Sequence, residues 1–344
     1  MQPWVTHLEA VSADPPNAGT WLANQTGTTL PQDHVYVRSN FPTPPVPMDG
    51  WVIDVEMSER HELGLEALGA FPTASLSMVL ECAGNGRTLM EPVPGGTPWT
   101  LGGASTTTFG GVWLRDVLRS FALPPDATEI VFTGADSGTV PEDGAVPYQF
   151  SIPVEEVLRD DLLLATTMAG EPLSHEHGAP IRLVVPGQYA MKSVKWLRRI
   201  HVVSEPFRGH FVRKYRYFGD ATEPEGAAVG AIQIRSLIAS PQAGAAVRSG
   251  SIRLAGSAWS NGHAIASVDV SCDGGESWVP ADLGDQPSPF ASVSWTASVA
   301  VEPPTAELAV RATDETGAIQ PLEPRWNSNG YGNNVVHRVA VDVI

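Results

Sequence analysis

From Ser75 the chain alternates, with Leu76, Met78, Leu80 and Cys82 set between Ser75, Ser77, Val79 and Glu81. A period of two predicts a strand. It runs directly into Ala83-Gly84-Asn85-Gly86, where glycine permits positive φ and close approach of backbone to a ligand. Strands are likewise expected over Trp51–Val55 and Glu129–Asp136. Helical spacing predicts a helix over Ser58–Leu68 with Ser58 as its N-cap, and another over Gly111–Phe121 with Leu114, Val117, Leu118 and Phe121 on one stripe. A short helix is expected between Tyr148 and Leu158, with Pro153 in its first turn. Residues 1–35 read as an irregular arm. Tyr36-Val37 is a short extended piece, followed by the polar cluster Arg38-Ser39-Asn40 and by prolines that forbid helix. The stretch Gly95–Gly111, carrying Trp99, Ser105 and Thr106, reads as a long loop of small residues.

Asp220–Gly230, rich in Glu, Pro, Gly and Ala, reads as a linker. Beyond it the pattern changes to short alternating strands over Ser251–Trp259, Ala266–Asp273, Ser277–Leu283, Phe290–Val299, Glu307–Ala312 and Asn334–Ile344. Asp273-Gly274-Gly275 is a hairpin signal, and strands at this spacing argue for a β-sandwich. The expected fold is therefore α+β: a mixed α/β domain over 1–230, then an all-β domain over 231–344.

The chain has 344 residues, enough for two domains, and its 42% hydrophobic and 17% charged content is that of an ordinary globular protein. No apolar run reaches membrane-spanning length. The N-terminus lacks a basic region followed by an apolar core, so a cytoplasmic protein is expected as the chain stands, or a periplasmic one where a leader has been trimmed. A net charge of −17 argues against a nucleic-acid or anionic-membrane partner. Against that background the cluster Lys192, Lys195, Arg198 and Arg199, with Arg182 upstream, is either a solvated basic face or an internal site for a phosphorylated ligand.

Two cysteines exclude a disulfide framework, and neither Cys-x-x-Cys-His nor a zinc-type spacing is present. Cys272 falls on the face of Val268 and Val270 and is expected in the core. A lone cysteine is more often a small buried hydrophobe than a ligand. Cys82 differs, because a rigid strand delivers it to the mouth of a glycine-rich loop, a placement suited to holding a soft metal as thiolate. His175 and His177 stand two residues apart in a loop, a spacing more common for solvated or hydrogen-bonded groups than for metal ligands.

Glu81-Cys-Ala-Gly-Asn-Gly-Arg87 resembles the signature of the sulfite oxidase family of molybdenum enzymes, and further motifs carry the resemblance from about Tyr36 to the end. They include His177-Gly-Ala-Pro-Ile-Arg182, Val184-Val-Pro-Gly187, Ser193-Val-Lys-Trp-Leu197 and Trp326-Asn-Ser-Asn-Gly-Tyr331. The resemblance implies a molybdopterin-binding domain followed by an immunoglobulin-like dimerisation domain, molybdenum with molybdopterin as cofactor, Cys82 as the only protein ligand to the metal, and no haem. It assigns cofactor contacts to Tyr36, Val37, Arg38, Ser39, Asn40, Asp136, His177, Arg182, Ser193, Val194 and Lys195. The family carries Arg-Asn-His where this chain has Arg38-Ser39-Asn40. Catalytic roles fall to Arg38 and Arg87, which would attract the substrate anion, and to a tyrosine donor, Tyr215 or else Tyr217.

One position departs from the family. Sulfite-oxidising members place an arginine where this chain has Asn329. The resemblance implies oxygen-atom transfer to sulfite, giving sulfate, with electrons passed to an external acceptor, a cytochrome or similar. The alternative is an S-oxide or N-oxide reductase, or an oxidase of another sulfur compound. A homodimer is expected through the C-terminal domain.

Overall fold

The computed structural model describes residues 6–47, 50–159, 161–217 and 226–344. The N-terminal part contains strands β1 (Leu8–Ala13), β2 (Pro16–Thr20), β3 (Val52–Glu56), β4 (Arg60–Gly64), β5 (Thr73–Glu81), β6 (Ala104–Trp113), β7 (Glu129–Val140), β8 (Gly144–Pro153), β9 (Leu163–Met168), β10 (Glu171–Pro172), β11 (Arg182–Val184) and β12 (Leu197–Val203). They form a hairpin, β1-β2, and two five-stranded sheets. One sheet runs β10-β9-β6-β5 with β11 also on β9; the other runs β4-β3-β12-β7-β8. Among the described residues α-helix is confined to α1 (Leu114–Leu118), α2 (Val154–Val157) and α3 (His210–Lys214), of five, four and five residues. The domain is thus mostly β.

Several expected elements change identity, each because tertiary pairing outweighs local propensity. The arm is not irregular throughout: β1 and β2 pair antiparallel across Asp14-Pro15. The helix expected over Ser58–Leu68 is absent. Residues Arg60–Gly64 instead pair with β3, with Arg60 Nε 2.8 Å from Asp54 Oδ1, and a 3-10 turn over Leu65–Ala70 tucks Leu68 into the core. The helix of Gly111–Phe121 begins only at Leu114, and its buried stripe is Leu114, Val117 and Leu118. Gly111-Val112-Trp113 belongs to β6, as do Ser105 and Thr106 from the expected loop. A Cβ at Gly111 would lie 1.9 Å from the Leu164 carbonyl oxygen, so β6 and β9 approach this closely only because the residue is glycine. Tyr148–Pro153 is strand, and the helix after it starts at Val154.

The C-terminal part contains β13 (Arg216–Tyr217), β14 (Ala227–Ala228), β15 (Arg235–Ser240), β16 (Ala246–Val247), β17 (Gly250–Trp259), β18 (Ile265–Ser271), β19 (Val279–Pro280), β20 (Asp282–Leu283), β21 (Val293–Val301), β22 (Thr305–Asp314) and β23 (His337–Val343). β13 and β14 pair with each other. The rest form a four-stranded sheet, β15-β17-β21-β20, and a five-stranded one, β16-β23-β22-β18-β19. Inward residues of both sheets share one core, including Ile238, Leu254, Val268, Leu308 and Val339. The expected strands all appear, with Ser277–Leu283 split in two; β15 and β16 are additions. Cys272 lies at the rim of this core, partly buried, with Sγ 3.4 Å from the Ala300 carbonyl. Of the expected linker Asp220–Gly230, residues up to 225 lie outside those described. Among the described residues no helix is long and apolar enough to cross a membrane.

The two halves are joined at β5. Glu81 is fully buried, and Arg235 of β15 places Nε 3.1 Å from its Oε1. Trp259 Nε1 and Asn85 Nδ2 donate to the same carboxylate at 2.9 and 3.0 Å. Burial pushes the Glu81 pKa up, while Arg235 and the hydrogen bonds oppose the shift. Removing one member of a buried pair leaves an uncompensated charge, at a cost of about 3–5 kcal/mol. Arg235→Ala is expected to destabilise the protein by that amount in denaturant unfolding. The double variant Glu81→Gln/Arg235→Met should lose markedly less. Equal losses in both would show that the pair is not coupled.

Candidate functional site

The Cys82 loop is held from both sides. Cys82 N–H donates to the Gly103 carbonyl at 2.8 Å, and the Cys82 carbonyl accepts from Asn85 N–H at 2.9 Å. The Asn85 side chain also accepts from Gly103 N–H at 3.0 Å. Gly86 sits at φ +78, the left-handed conformation that lets the chain turn into Arg87. Because β5 alternates, Cys82 emerges on the face of Met78 and Leu80 while Glu81 points the other way, into the interface with the second sheet pair.

The thiol faces two cavities. The inner one, about 660 Å3, lies among residues that include Tyr36, Arg38, Ser39, Asn40, Cys82, Asp136, His177, Arg182, Ser193, Lys195 and Tyr215. The outer one, about 810 Å3, includes Arg38, Cys82, Arg87, Trp99, Lys214, Tyr215, Asn329 and Tyr331 in its lining. Arg38, Cys82 and Tyr215 line both, so they form the neck between them.

In the inner cavity the charges are buried and only partly satisfied. Arg182 donates to the carbonyls of His177 and Ser193 at 3.0 and 3.1 Å, while its buried Nε has no partner among the described residues. Burial lowers its pKa to about 10. Lys195 Nζ donates to Ser39 Oγ and to the Glu176 carbonyl, both at 2.8 Å, and lies 4.2 Å from the centre of the Trp196 ring. Burial first, then the Arg182 charge, lowers its pKa to about 7. Trp196 is held at φ +49, a strained conformation for so large a residue, with Nε1 donating to the His175 carbonyl at 2.8 Å. Asp136 occupies a register shift of β7 opposite β8, its pKa raised by burial, with Oδ1 unpartnered. The buried Tyr36 hydroxyl, like Asp136 Oδ1, has no partner among the described residues. His177 donates from Nε2 to the Gln32 carbonyl at 3.0 Å, and burial lowers its pKa to about 3, keeping it neutral.

Orphaned buried donors and acceptors beside buried cations fit a hydrogen-bonding ligand that carries a phosphate. Among the described residues no cluster of three or more His, Cys, Asp or Glu side chains forms a metal cage. A metal at the neck would take Cys82 from the protein and its other ligands from the bound group.

Of the expected basic cluster, only Lys195 and Arg182 reach this cavity. Lys192 pairs with Glu156 at 3.5 Å, Arg199 with Glu56, and Arg198 donates to the Val52 carbonyl. Val37 and Val194 are buried in hydrophobic packing and do not line it. Of the two tyrosines, Tyr215 is at the neck, its hydroxyl 3.4 Å from Asn40 Nδ2; Tyr217 packs beside Gly332 instead. Burial raises the Tyr215 pKa, so the phenol keeps its proton.

Arg38 is braced by Asn40 Oδ1 at 2.9 Å and by the Ser39 carbonyl. Arg87 is held by the Asn329 carbonyl, at 3.0 Å to Nε and 2.9 Å to one terminal nitrogen, and by the Thr97 carbonyl. The Asn329 side chain donates to the Arg216 carbonyl at 3.0 Å. Asn17 of β2 was not legible as a site residue. Its Oδ1 accepts from Ser39 N–H at 2.8 Å and so anchors the Arg38 segment to the N-terminal hairpin.

Residues 40–211 match the oxidoreductase molybdopterin-binding domain model, and residues 227–344 match the Mo-co oxidoreductase dimerisation domain model. Sulfite oxidase from Gallus gallus is 33% identical over 334 residues, covering 90% of this chain and 72% of that protein. Mitochondrial sulfite oxidase from Drosophila melanogaster is 33% identical over 362 residues, covering 97% of this chain; the chain spans 62% of the length of that relative. The crystal structure of the sulfane dehydrogenase SoxCD from Paracoccus pantotrophus superposes with a TM-score of 0.82 at 27% identity, covering 97% of this chain and 88% of that one.

Arg182→Ala and Lys195→Ala are each expected to lower bound molybdenum per protein several-fold while turnover per bound molybdenum changes little. Elemental analysis beside kinetics checks this, and full occupancy in both would sink the cradle. Burial and the Arg182 charge lower the Lys195 pKa to about 7, so anion binding beside it takes up a proton once the pH exceeds that value. Phosphate affinity of cofactor-free protein should therefore fall with rising pH above that value. In Lys195→Arg, whose guanidinium stays charged, the dependence should flatten.

Proposed function

Because this chain belongs to the sulfite oxidase family of molybdopterin-dependent oxidoreductases, we propose that it oxidises a small anionic sulfur compound, sulfite in the first instance, and passes the electrons to an external acceptor. The observation that carries the reading is Cys82 at the neck between a buried, phosphate-suited cavity and an outer cavity lined by cations. Residues 1–230 would form the catalytic part and 231–344 an immunoglobulin-like dimerisation part, a division supported by the two domain matches.

Cys82 would hold molybdenum, with Tyr36, Asp136, His177, Arg182, Ser193 and Lys195 holding the pterin and its phosphate. When bound, that group supplies a two-electron couple and oxygen-atom transfer; the residues of this chain bind and orient. Arg38 and Arg87 attract the anion. Their guanidinium groups are locked by carbonyl acceptors, so little rotamer entropy is lost when substrate arrives. Tyr215, kept protonated by burial, donates to the substrate oxygen on which charge accumulates.

Asn329 favours a second reading, reduction of a neutral S-oxide or N-oxide, because its side chain is turned to the Arg216 carbonyl and brings no charge. The sulfane dehydrogenase likeness supports a third, oxidation of another sulfur compound. Steady-state assays of sulfite with ferricyanide, against sulfoxide with reduced viologen, separate oxidation from reduction. Oxidation of sulfite is expected, and turnover confined to the viologen assay would overturn the reading. Cys82→Ser should abolish turnover and the thiolate-to-metal charge-transfer absorption of the loaded protein, whereas Cys272→Ser should alter neither. In sedimentation, the 36.6 kDa chain should run at twice that mass at micromolar concentration; a monomer there counts against the dimer.

A further inference from the structure

The outer cavity has an unusual charge pattern for this protein. In a chain of net charge −17, its lining includes Arg38, Arg87 and Lys214 and, among the described residues, no aspartate or glutamate. Two of the cations are tied to the protein. Arg87 gives Nε and a terminal nitrogen to the Asn329 carbonyl, and Arg38 is bound by Ser39 and Asn40. Lys214 differs. It is the last residue of α3 and lines the cavity, with Nζ 5.7 Å from the centre of the Phe211 ring. Burial, then the Arg38 charge, lowers its pKa; Glu142 opposes this, and Arg87 adds to it. The ammonium thus sits within the field of both arginines, yet Glu142 does not line the cavity. Three like charges lining one cavity, with no acid among its described lining residues, have an unfavourable electrostatic energy that an anion relieves.

Asn329 stands across the same cavity, and its amide carries no charge. We propose that Lys214 is the third cation of the outer cavity and sets its preference for a doubly charged oxyanion of sulfur over singly charged or neutral substrates. The flexible lysine stem lets the charge follow the ligand, where a guanidinium fixed by carbonyls cannot. The inference rests on the reading of this site as one for anionic sulfur compounds.

The test uses the cofactor-loaded full chain and two readouts. Calorimetry with sulfate gives binding without turnover; steady-state kinetics with sulfite gives KM and kcat. In Lys214→Gln the sulfate Kd and the sulfite KM should each rise about tenfold, the loss of one charge-assisted contact. kcat should change much less, because the contact is made equally in ground and transition states. Lys214→Arg, which keeps the charge, should stay within about threefold of the parent in both, with molybdenum content unchanged in either variant. Raising ionic strength should weaken sulfate binding less steeply in Lys214→Gln than in the parent. Unchanged Kd and KM in Lys214→Gln, or no sulfate binding by the parent at millimolar concentration, would overturn the proposal. A parent that binds sulfate in a Lys214-dependent way but does not oxidise sulfite would overturn the reading of the reaction and leave Lys214 as the anion-selecting cation.

Discussion

The alternation of one strand governs this molecule. Glu81 and Cys82 are neighbours at the end of β5, so their side chains leave on opposite faces. The carboxylate is buried against Arg235 and Trp259 of the second sheet pair, and the thiol opens on the two cavities. The same hydrogen bonds that satisfy Glu81 also run through Asn85, whose side chain bridges Glu81 and Gly103. Asn333 adds a donation to the Gly86 carbonyl at 2.7 Å from the C-terminal part. The loop that carries the thiol is thus clamped by both halves of the chain.

Electrostatics supply the second constraint. Placing Arg182 and Lys195 inside an acidic protein costs desolvation, visible in the lowered pKa of each. Neighbouring carbonyls offset part of this, but Arg182 Nε, Asp136 Oδ1 and the Tyr36 hydroxyl keep unused hydrogen-bonding capacity. The left-handed backbone at Trp196 sets the indole under Lys195 and keeps the ammonium on the cavity side. The inner cavity thus combines buried cations with unused hydrogen-bonding groups, an arrangement that suits a polar, phosphorylated ligand.

Outside, the arrangement is looser. Arg38 and Arg87 are fixed by carbonyls, whereas Lys214 Nζ lies 5.7 Å from the centre of the Phe211 ring on a flexible stem. A rigid inner cradle and a more adaptable outer rim suit a permanent cofactor and an exchanging substrate.

Much of the site could be read directly from residue order. Period-two alternation located β5 and the strands of the C-terminal sheets, because a half-buried strand writes its two faces into adjacent letters. Resemblance to family motifs, not spacing, singled out Cys82, His177, Arg182, Ser193 and Lys195, which the fold brings to the inner cavity. What order could not decide was pairing across distance. Arg60–Gly64 has helical spacing yet is a strand, because β3 offers an unpaired edge. Lys192, Arg198 and Arg199 share the basic cluster with Lys195 but turn to Glu156, the Val52 carbonyl and Glu56. Asn17 and Lys214 join the site only because β2 and α3 pack beside the Arg38 and Cys82 segments. Residue type and period determine which chemistry the chain carries. Which groups meet, and which charges remain free to bind, depends on sheet register and packing between residues far apart in the chain, energies that exist only once the tertiary fold has formed.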